Sequence, residues 1–150
     1  MRNTNIQLDL IGKPAPNHSK YYEQCKALSE ENVRFLGQME RSAIIDHLKA
    51  AKVHILPSWF ETTGLSSLEA GALGCNVVIT AKGDTKEYFE DLAFYCDPES
   101  PLSIRKTIEK ALSTDTKLAL KEKIQKEFRW TITAQKTIEA YHRTLANNKD

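Results

Sequence analysis

Two glutamates, Glu61 and Glu69, are the residues of this chain whose type and spacing most favour chemistry, and seven residues separate them in the segment PSWFETTGLSSLEAGALGCNVVIT. Apolar runs flank the pair, the first ending at Pro57, and the pattern between them predicts a helix over Leu65–Leu73. One carboxylate therefore lies in a strand-to-helix loop and the other lies in the helix. A helix start presents backbone N–H groups and positive potential, which suit a phosphate. The two acids are placed to hold hydroxyl groups on either side of that phosphate.

Alternating strands and helices must position these groups, and their order predicts an α/β fold. The predicted strands are Ile6–Ile11, Val33–Leu36, Val53–Leu56, Val77–Thr80 and Ala93–Cys96. The predicted helices are Ser19–Leu28, Arg41–Ala50, Leu65–Leu73, Lys86–Phe89, Pro101–Leu112, Lys117–Phe128 and Thr133–Leu145. Such a series is typical of a Rossmann-like parallel sheet with helices on both faces. Ligands bind such sheets at the carboxyl ends of the strands, so the loops that begin at Gly12, Gly37, Ser58 and Ala81 are predicted to share one edge.

Composition narrows the class of protein. The 150 residues fit a single domain over 1–150, and 41% hydrophobic with 27% charged residues is an ordinary globular balance. A net charge of +1 gives no field that would attract nucleic acid, and neither a membrane span nor a signal peptide is visible. Three scattered cysteines indicate thiols in a reducing cytosol, and the four histidines lack the spacing of metal ligands. We therefore predict a cytoplasmic protein without a structural metal.

The Glu61–Glu69 segment resembles the E-x7-E motif of GT-B glycosyltransferases of the glycosyltransferase family 4 (group 1) type, which reads P-S-x-x-E-G-F-G-L-x-x-L-E-A-x-A-x-G-x-P-V-V. The matching residues are Pro57, Ser58, Glu61, Gly64, Leu65, Leu68, Glu69, Ala70, Ala72, Gly74, Val77 and Val78. Further matches are the strand that ends in Gly12, the V-x-F-L-G strand that ends in Gly37, and the F-x-W start of the closing helix at Phe128. The resemblance thus covers most of the chain.

The resemblance implies the C-terminal, donor-binding half of a GT-B fold. Such enzymes transfer a hexose, with retained configuration, from a nucleoside diphosphate sugar such as a UDP-sugar or GDP-sugar to an acceptor hydroxyl. They need no cofactor or metal, and polysaccharide biosynthesis is one setting for them. The family's N-terminal domain, which receives an acceptor sugar or lipid-linked glycan, and its upstream Arg and Lys are absent from this sequence. The isolated chain is therefore expected to be inactive, and the full-length protein is compatible with peripheral contact at the inner face of the membrane.

Residue roles follow from the same resemblance. Glu69 would accept hydrogen bonds from both ribose hydroxyls, and Glu61 would be the catalytic carboxylate beside the transferred sugar. Thr63, Gly64 and Leu65 would offer backbone N–H groups to the distal phosphate. The alternatives are a solvated helix glutamate for Glu69, a capping acid for Glu61, and a plain helix start for the other three.

A second group of residues belongs to the loops after other strands. Gln38 and Met39 follow the second predicted strand, where the family's backbone meets the nucleotide base, and Gly83 sits where it lines the sugar side. Each position is also an ordinary surface loop or turn. His54, inside an apolar strand, is interpreted as a core residue.

Two departures from the family motif bear on the function. Thr62-Thr63 replaces the usual Gly-Phe, which changes the pocket wall, and Asn76 replaces a proline, at an expected cost of some loop stiffness only. The threonines support an alternative function, a non-catalytic nucleotide-binding or assembly domain of the same fold. A receiver-type signalling domain is set aside, because Leu10-Ile11-Gly12 stands where that fold needs acidic residues.

Overall fold

The structure, a computed structural model, describes residues 4–116 and 118–147. The chain divides into two compact units, Met1–Ala50 and Ala51–Asp150. Every strand pairing within each unit is parallel. The predicted α/β class is therefore confirmed.

The first unit is a two-stranded parallel sheet with its connecting helices. A short 3-10 helix, Pro16–His18, precedes the first α-helix and was not predicted. In chain order the elements are β1 (Leu8–Ile11), α1 (Ser19–Leu28), β2 (Val33–Gly37) and α2 (Arg41–Ala50).

An ion pair joins the two strands of the first unit. The Arg34 guanidinium donates from Nε and Nη2 to the two carboxylate oxygens of Asp9, each at 2.7 Å. His47 Nδ1 lies 3.2 Å from Asp9 Oδ2. The hydrogen bond from Arg34 holds the pKa of Asp9 below its ordinary value. Because Leu8 pairs with Val33 across the sheet, the same register sets Asp9 opposite Arg34.

The second unit holds a three-stranded parallel sheet in the order β3-β4-β5. Its helices α3 and α5 both pack against this sheet. In chain order the elements are β3 (Val53–Leu56), α3 (Leu65–Leu73), β4 (Asn76–Thr80), α4 (Thr85–Phe89), β5 (Phe94–Cys96), α5 (Pro101–Ser113), α6 (Leu118–Glu127) and α7 (Trp130–Asn147).

Strand β4 is buried along its whole length, as expected for the central strand of a covered parallel sheet. Val77 and Ile79 join Leu68 of α3 in the main apolar cluster. Asn76 points elsewhere: its Nδ2 donates to the carbonyl of Ala111 at 2.9 Å and to that of Thr114 at 3.0 Å. The expectation that Asn76 affects only loop stiffness is therefore wrong, because the side chain binds the C-terminal end of α5.

Helix α3 approaches α6 closely, and a glycine allows the approach. A Cβ atom on Gly71 would lie 2.8 Å from Ile124 Cδ1 and 3.0 Å from Leu120 Cδ2. The helix ends at Gly74, whose φ of 103° is the left-handed conformation typical of a helix C-terminus. Gly71 thus allows the close packing of α3 against α6.

The predicted boundaries are close to the observed ones. Helices α1, α2 and α3 have the predicted limits. Ser100 is the N-cap of α5, and its Oγ accepts a hydrogen bond from the Ser103 N–H at 3.2 Å. The first strand begins at Leu8 rather than Ile6, and the last helix at Trp130 rather than Thr133. Lys117, the predicted start of the sixth helix, lies outside the described residues. Within the described residues, no helix has the length and apolar character needed to cross a bilayer.

Candidate functional site

The loop after β3 and the loop after β4 meet at the carboxyl end of the second unit's sheet. Glu61 forms a parallel bridge with Gly83. Its N–H donates to the Lys82 carbonyl at 3.1 Å, and its own carbonyl accepts from the Asp84 N–H at 3.1 Å. The backbone of Glu61 is therefore fixed on both sides.

Gly83 is the residue that makes this meeting possible. Its φ is +96°, and a Cβ atom there would lie only 2.2 Å from the Glu61 carbonyl oxygen. A side chain would therefore force the two loops apart. The structure thus brings together two of the residues predicted for the site, Glu61 and Gly83.

The Glu61 carboxylate closes the turn that leads into α3. Its Oε1 accepts a hydrogen bond from the Gly64 N–H at 3.0 Å, and Ser58 Oγ lies 3.5 Å from Oε2. The capping role considered for Glu61 is therefore present. A carboxylate has about four lone-pair positions, so this contact leaves it able to accept bonds from a ligand hydroxyl as well.

The N-cap residue of α3, Gly64, has a left-handed backbone conformation. Gly64 has φ 67° and ψ 52°, and a Cβ atom there would lie 3.0 Å from Ile79 Cδ1 beneath it. The Gly64 carbonyl accepts the first helical bond, from the Leu68 N–H at 2.9 Å. As a glycine, residue 64 has no side chain that could cap the helix. The first N–H groups of the helix, those of residues 65–67, lack intrahelical acceptors and carry the positive end of the dipole.

Glu69 and Leu65 lie one helical turn apart and both are exposed, whereas Leu68 and Ala70 beside them are buried. Residues four positions apart share one face of a helix. The Glu69 carboxylate therefore stands on the open face of α3, one turn after the N–H groups of its start. Thr63, before the helix, is half-buried.

A polar contact between half-buried His54 and buried Ser67 links the first turn of α3 to the sheet. His54 Nε2 of β3 lies 3.1 Å from Ser67 Oγ, and Ser67 is fully buried. Burial lowers the pKa of His54 to about 4, so the ring is neutral at pH 7. His54 is thus a structural histidine, as interpreted from the sequence. Its bond to Ser67 carries no signal in the sequence, because it depends on how the helix lies on the strand.

The remaining residues predicted for the site belong to the first unit. Gln38 is exposed and Met39 is half-buried, directly after β2. Their contact with a nucleotide base stays a prediction. Among the described residues, no group of three or more His, Cys, Asp or Glu side chains is arranged to hold a metal ion.

Lys82 is a residue that the sequence reasoning missed. Its carbonyl accepts the Glu61 N–H, its Nζ lies 5.5 Å from the centroid of the Trp59 ring, and its ammonium pairs with Glu99. In the sequence, the feature that connects Lys82 with the site is its position directly before Gly83. The Lys82 ammonium places a positive charge beside this loop, and Glu99 offsets it.

Comparisons with known proteins identify the family and the fold of the chain. The sequence model of the family described as Glycosyl transferases group 1 matches residues 1–131. A curated relative, the D-inositol 3-phosphate glycosyltransferase of Kribbella flavida, is 30% identical over 145 residues, which cover 88% of this chain and 34% of that protein. The chain thus spans about a third of the length of this relative.

Solved structures share the fold. A glycosyltransferase from Rickettsia africae superposes with a TM-score of 0.83 at 18% identity, covering 98% of this chain and 42% of that one. Sucrose-phosphate synthase from Thermosynechococcus elongatus superposes with a TM-score of 0.76 at 24% identity, covering 95% and 39%. Because the family's sequence model extends over most of the chain, the resemblance noted from the E-x7-E segment is confirmed. The chain belongs to the glycosyl transferases group 1 family and has the fold of the C-terminal domain of a GT-B glycosyltransferase.

Proposed function

We propose that this chain is the donor-binding domain of a retaining glycosyltransferase that transfers a hexose from a nucleoside diphosphate sugar to an acceptor hydroxyl. One observation carries the proposal. The start of α3 has helical N–H groups without intrahelical acceptors, and carboxylates stand on both sides of it, at Glu61 before the helix and Glu69 on its open face. In a sugar nucleotide the diphosphate lies between the ribose and the sugar. The helix start would bind the diphosphate, and the two acids would bind the hydroxyls of the ribose and of the sugar.

Each group has a distinct part in the proposed reaction. The N–H groups at the start of α3 stabilise the charge that develops on the leaving diphosphate, and they do so from fixed positions. Glu69 accepts hydrogen bonds from the two ribose hydroxyls, which suits a carboxylate with two oxygens. Glu61, fixed by its backbone bonds to Lys82 and Asp84, faces the transferred sugar and supports positive charge at the anomeric carbon.

The substrates and setting are part of the same proposal. The donor is a UDP-sugar or GDP-sugar, and no metal or cofactor takes part. The acceptor, a sugar or lipid-linked glycan, is received by a domain outside this sequence, in a cytoplasmic protein that works at or near the inner face of the membrane. The curated relatives that the chain matches are longer, and they are named D-inositol 3-phosphate glycosyltransferase. The 150-residue chain alone is therefore expected to bind nucleotide weakly and to transfer no sugar.

Titration of UDP, GDP and ADP against the chain, followed by amide NMR, tests the donor site. We expect selective shifts in residues 61–69 for one of the three nucleotides, and their loss in Glu69→Ala. Glu122→Ala is the matched control, because Glu122 is an exposed glutamate on another helix of the same unit. Equal responses in the two variants would contradict the role of Glu69.

The alternative is a nucleotide-binding or assembly domain of the same fold without catalysis, which the two threonines after Glu61 favour. Nucleotide binding alone does not separate the two functions. A transferase assay on the full-length protein does: loss of turnover in Glu61→Gln with nucleotide binding retained supports the enzyme, and absence of turnover in the unmodified protein supports the alternative.

A further inference from the structure

The first turn of α3 is joined to the sheet by a hydrogen bond as well as by apolar packing. Ser67 lies in that turn and is 0% exposed, and its Oγ is 3.1 Å from Nε2 of His54 on β3. Leu68, the next residue, belongs to the main apolar cluster. A buried hydroxyl that leaves its partner loses a bond that water cannot replace. The bond to His54 therefore fixes where the Ser67 side chain lies on β3.

Ser67 stands at a position where a side chain commonly caps its own helix. A serine hydroxyl in the first turn tends to bond to nearby backbone groups, which would compete with a ligand for the helix start. The Ser67 hydroxyl is instead turned to His54, and the N-cap, Gly64, has no side chain. The Gly64 N–H is bound by Glu61 Oε1 at 3.0 Å. The N–H groups of residues 65–67 are thus left for a ligand.

The His54 ring acts on this turn through its geometry and not through a charge. Burial lowers the pKa of His54 to about 4, so the imidazole is neutral at pH 7 and has one donor and one acceptor nitrogen. A serine hydroxyl both donates and accepts, so either tautomer of the ring can bond to Ser67. Because the ring is neutral, it adds no attraction for an anion at the helix start.

We propose that His54 is a positioning residue for the donor substrate, which holds the first turn of α3 through Ser67 so that the N–H groups of that turn are aligned for the diphosphate. This inference rests on the proposed function. Helix ends open at little cost in free energy, and an open turn cannot present its N–H groups together. The bond to the strand opposes this opening, so its loss lowers the population of the turn that binds.

Amide NMR titrations with pyrophosphate and with UDP, GDP and ADP, at constant ionic strength, test the positioning role. His54→Val removes the ring but keeps a side chain that suits a strand, and Ser67→Ala removes the hydroxyl. We expect each change to raise the Kd of pyrophosphate and of the nucleotide that binds by the same factor, about three- to tenfold. The double variant should bind no more weakly than the weaker single variant, because both changes remove the same bond.

Two further variants separate positioning from stability. His54→Gln places an amide nitrogen near the position of Nε2, so it should bring the Kd back to within about twofold of the unmodified chain. Asn76→Ala should lose at least as much stability as His54→Val and leave the Kd unchanged, because Asn76 follows the C-terminal end of α3 and binds α5. Urea unfolding measures the stability of each variant, and circular dichroism verifies that each is folded during the titration.

The two kinds of probe show which part of the ligand His54 affects. Glu69→Ala should weaken the binding of nucleotide but not of pyrophosphate, which has no ribose, whereas His54→Val should weaken both. A loss of stability in His54→Val with an unchanged Kd would overturn the inference and leave the His54–Ser67 contact as a feature of the core. An effect on nucleotide alone would assign His54 to the ribose or the base, with the same consequence.

Failure of this inference is distinct from failure of the proposed function. If nucleotide shifts that depend on Glu69 are unaffected by His54→Val and Ser67→Ala, only the positioning role is lost. If the amides of residues 65–67 respond to no probe up to about 50 mM, the helix start binds no diphosphate and the inference is overturned. The absence of any nucleotide binding that depends on Glu69 would remove the proposed function as well.

Discussion

Asn76→Ala should destabilise the second unit strongly although residue 76 is remote from the proposed ligand. Asn76 is 1% exposed, and its Nδ2 donates to two carbonyls of the α5 terminus, at 2.9 and 3.0 Å, with the Asp115 carbonyl at 3.5 Å. Ala111 is buried, so its carbonyl loses its side-chain donor without easy access to water. One buried acceptor costs about 1–3 kcal/mol, and a second, partly hydrated bond adds about 1 kcal/mol. We expect a loss of about 2–4 kcal/mol.

Urea unfolding followed by circular dichroism measures this loss. With a slope of about 2 kcal/mol per molar urea, the midpoint should fall by about 1–2 M with the slope unchanged. Asn76→Asp has nearly the same size but replaces the donor by a carboxylate that faces carbonyl oxygens, so it should cost at least as much. Gln125→Ala removes an exposed amide from α6 and is the control. If Asn76→Asp were as stable as that control, the hydrogen-bonding account of residue 76 would be refuted.

Two further predictions concern the site. Gly83→Ala should lower the stability more than Gly74→Ala, because both glycines have φ near +100° but a Cβ atom meets the Glu61 carbonyl only at residue 83. Gly83→Ala should also shift the Glu61 amide signal in NMR spectra. Equal losses of stability in the two variants would contradict the close approach at Gly83. His54 has a folded pKa of about 4 against an ordinary 6.5, so the unfolded state takes up the proton first as pH falls. Stability should therefore drop by about 2 kcal/mol from pH 7.5 to pH 5, a dependence absent from His54→Gln and retained in His142→Gln, whose residue is exposed. Equal pH profiles for the two variants would refute the burial argument.

Local features of the sequence determine the elements themselves. The limits of helix α3 could be predicted because Gly64 and Gly74 flank it, and Ser100-Pro101 marks the start of α5. The E-x7-E segment likewise identified the family, since its residues are contiguous. Such features are local in the sequence, so the order of residues is enough to predict backbone hydrogen bonding and side-chain periodicity.

The contacts that build the candidate site depend on tertiary structure. Leu56 pairs with Ile79 across the sheet, and two loops of unequal length then bring Glu61 onto Gly83 and Lys82. The bonds from His54 to Ser67 and from Asn76 to α5 arise in the same way, from helices laid on strands. Sequence alone indicated the family, the α/β class and the limits of α1, α2 and α3. Only the tertiary structure decided three sets of contacts, because the register of the sheet brings together residues that are distant in the chain. These are the backbone hydrogen bonds of Glu61, the Lys82–Trp59 contact and the hydrogen bonds of Asn76 to α5.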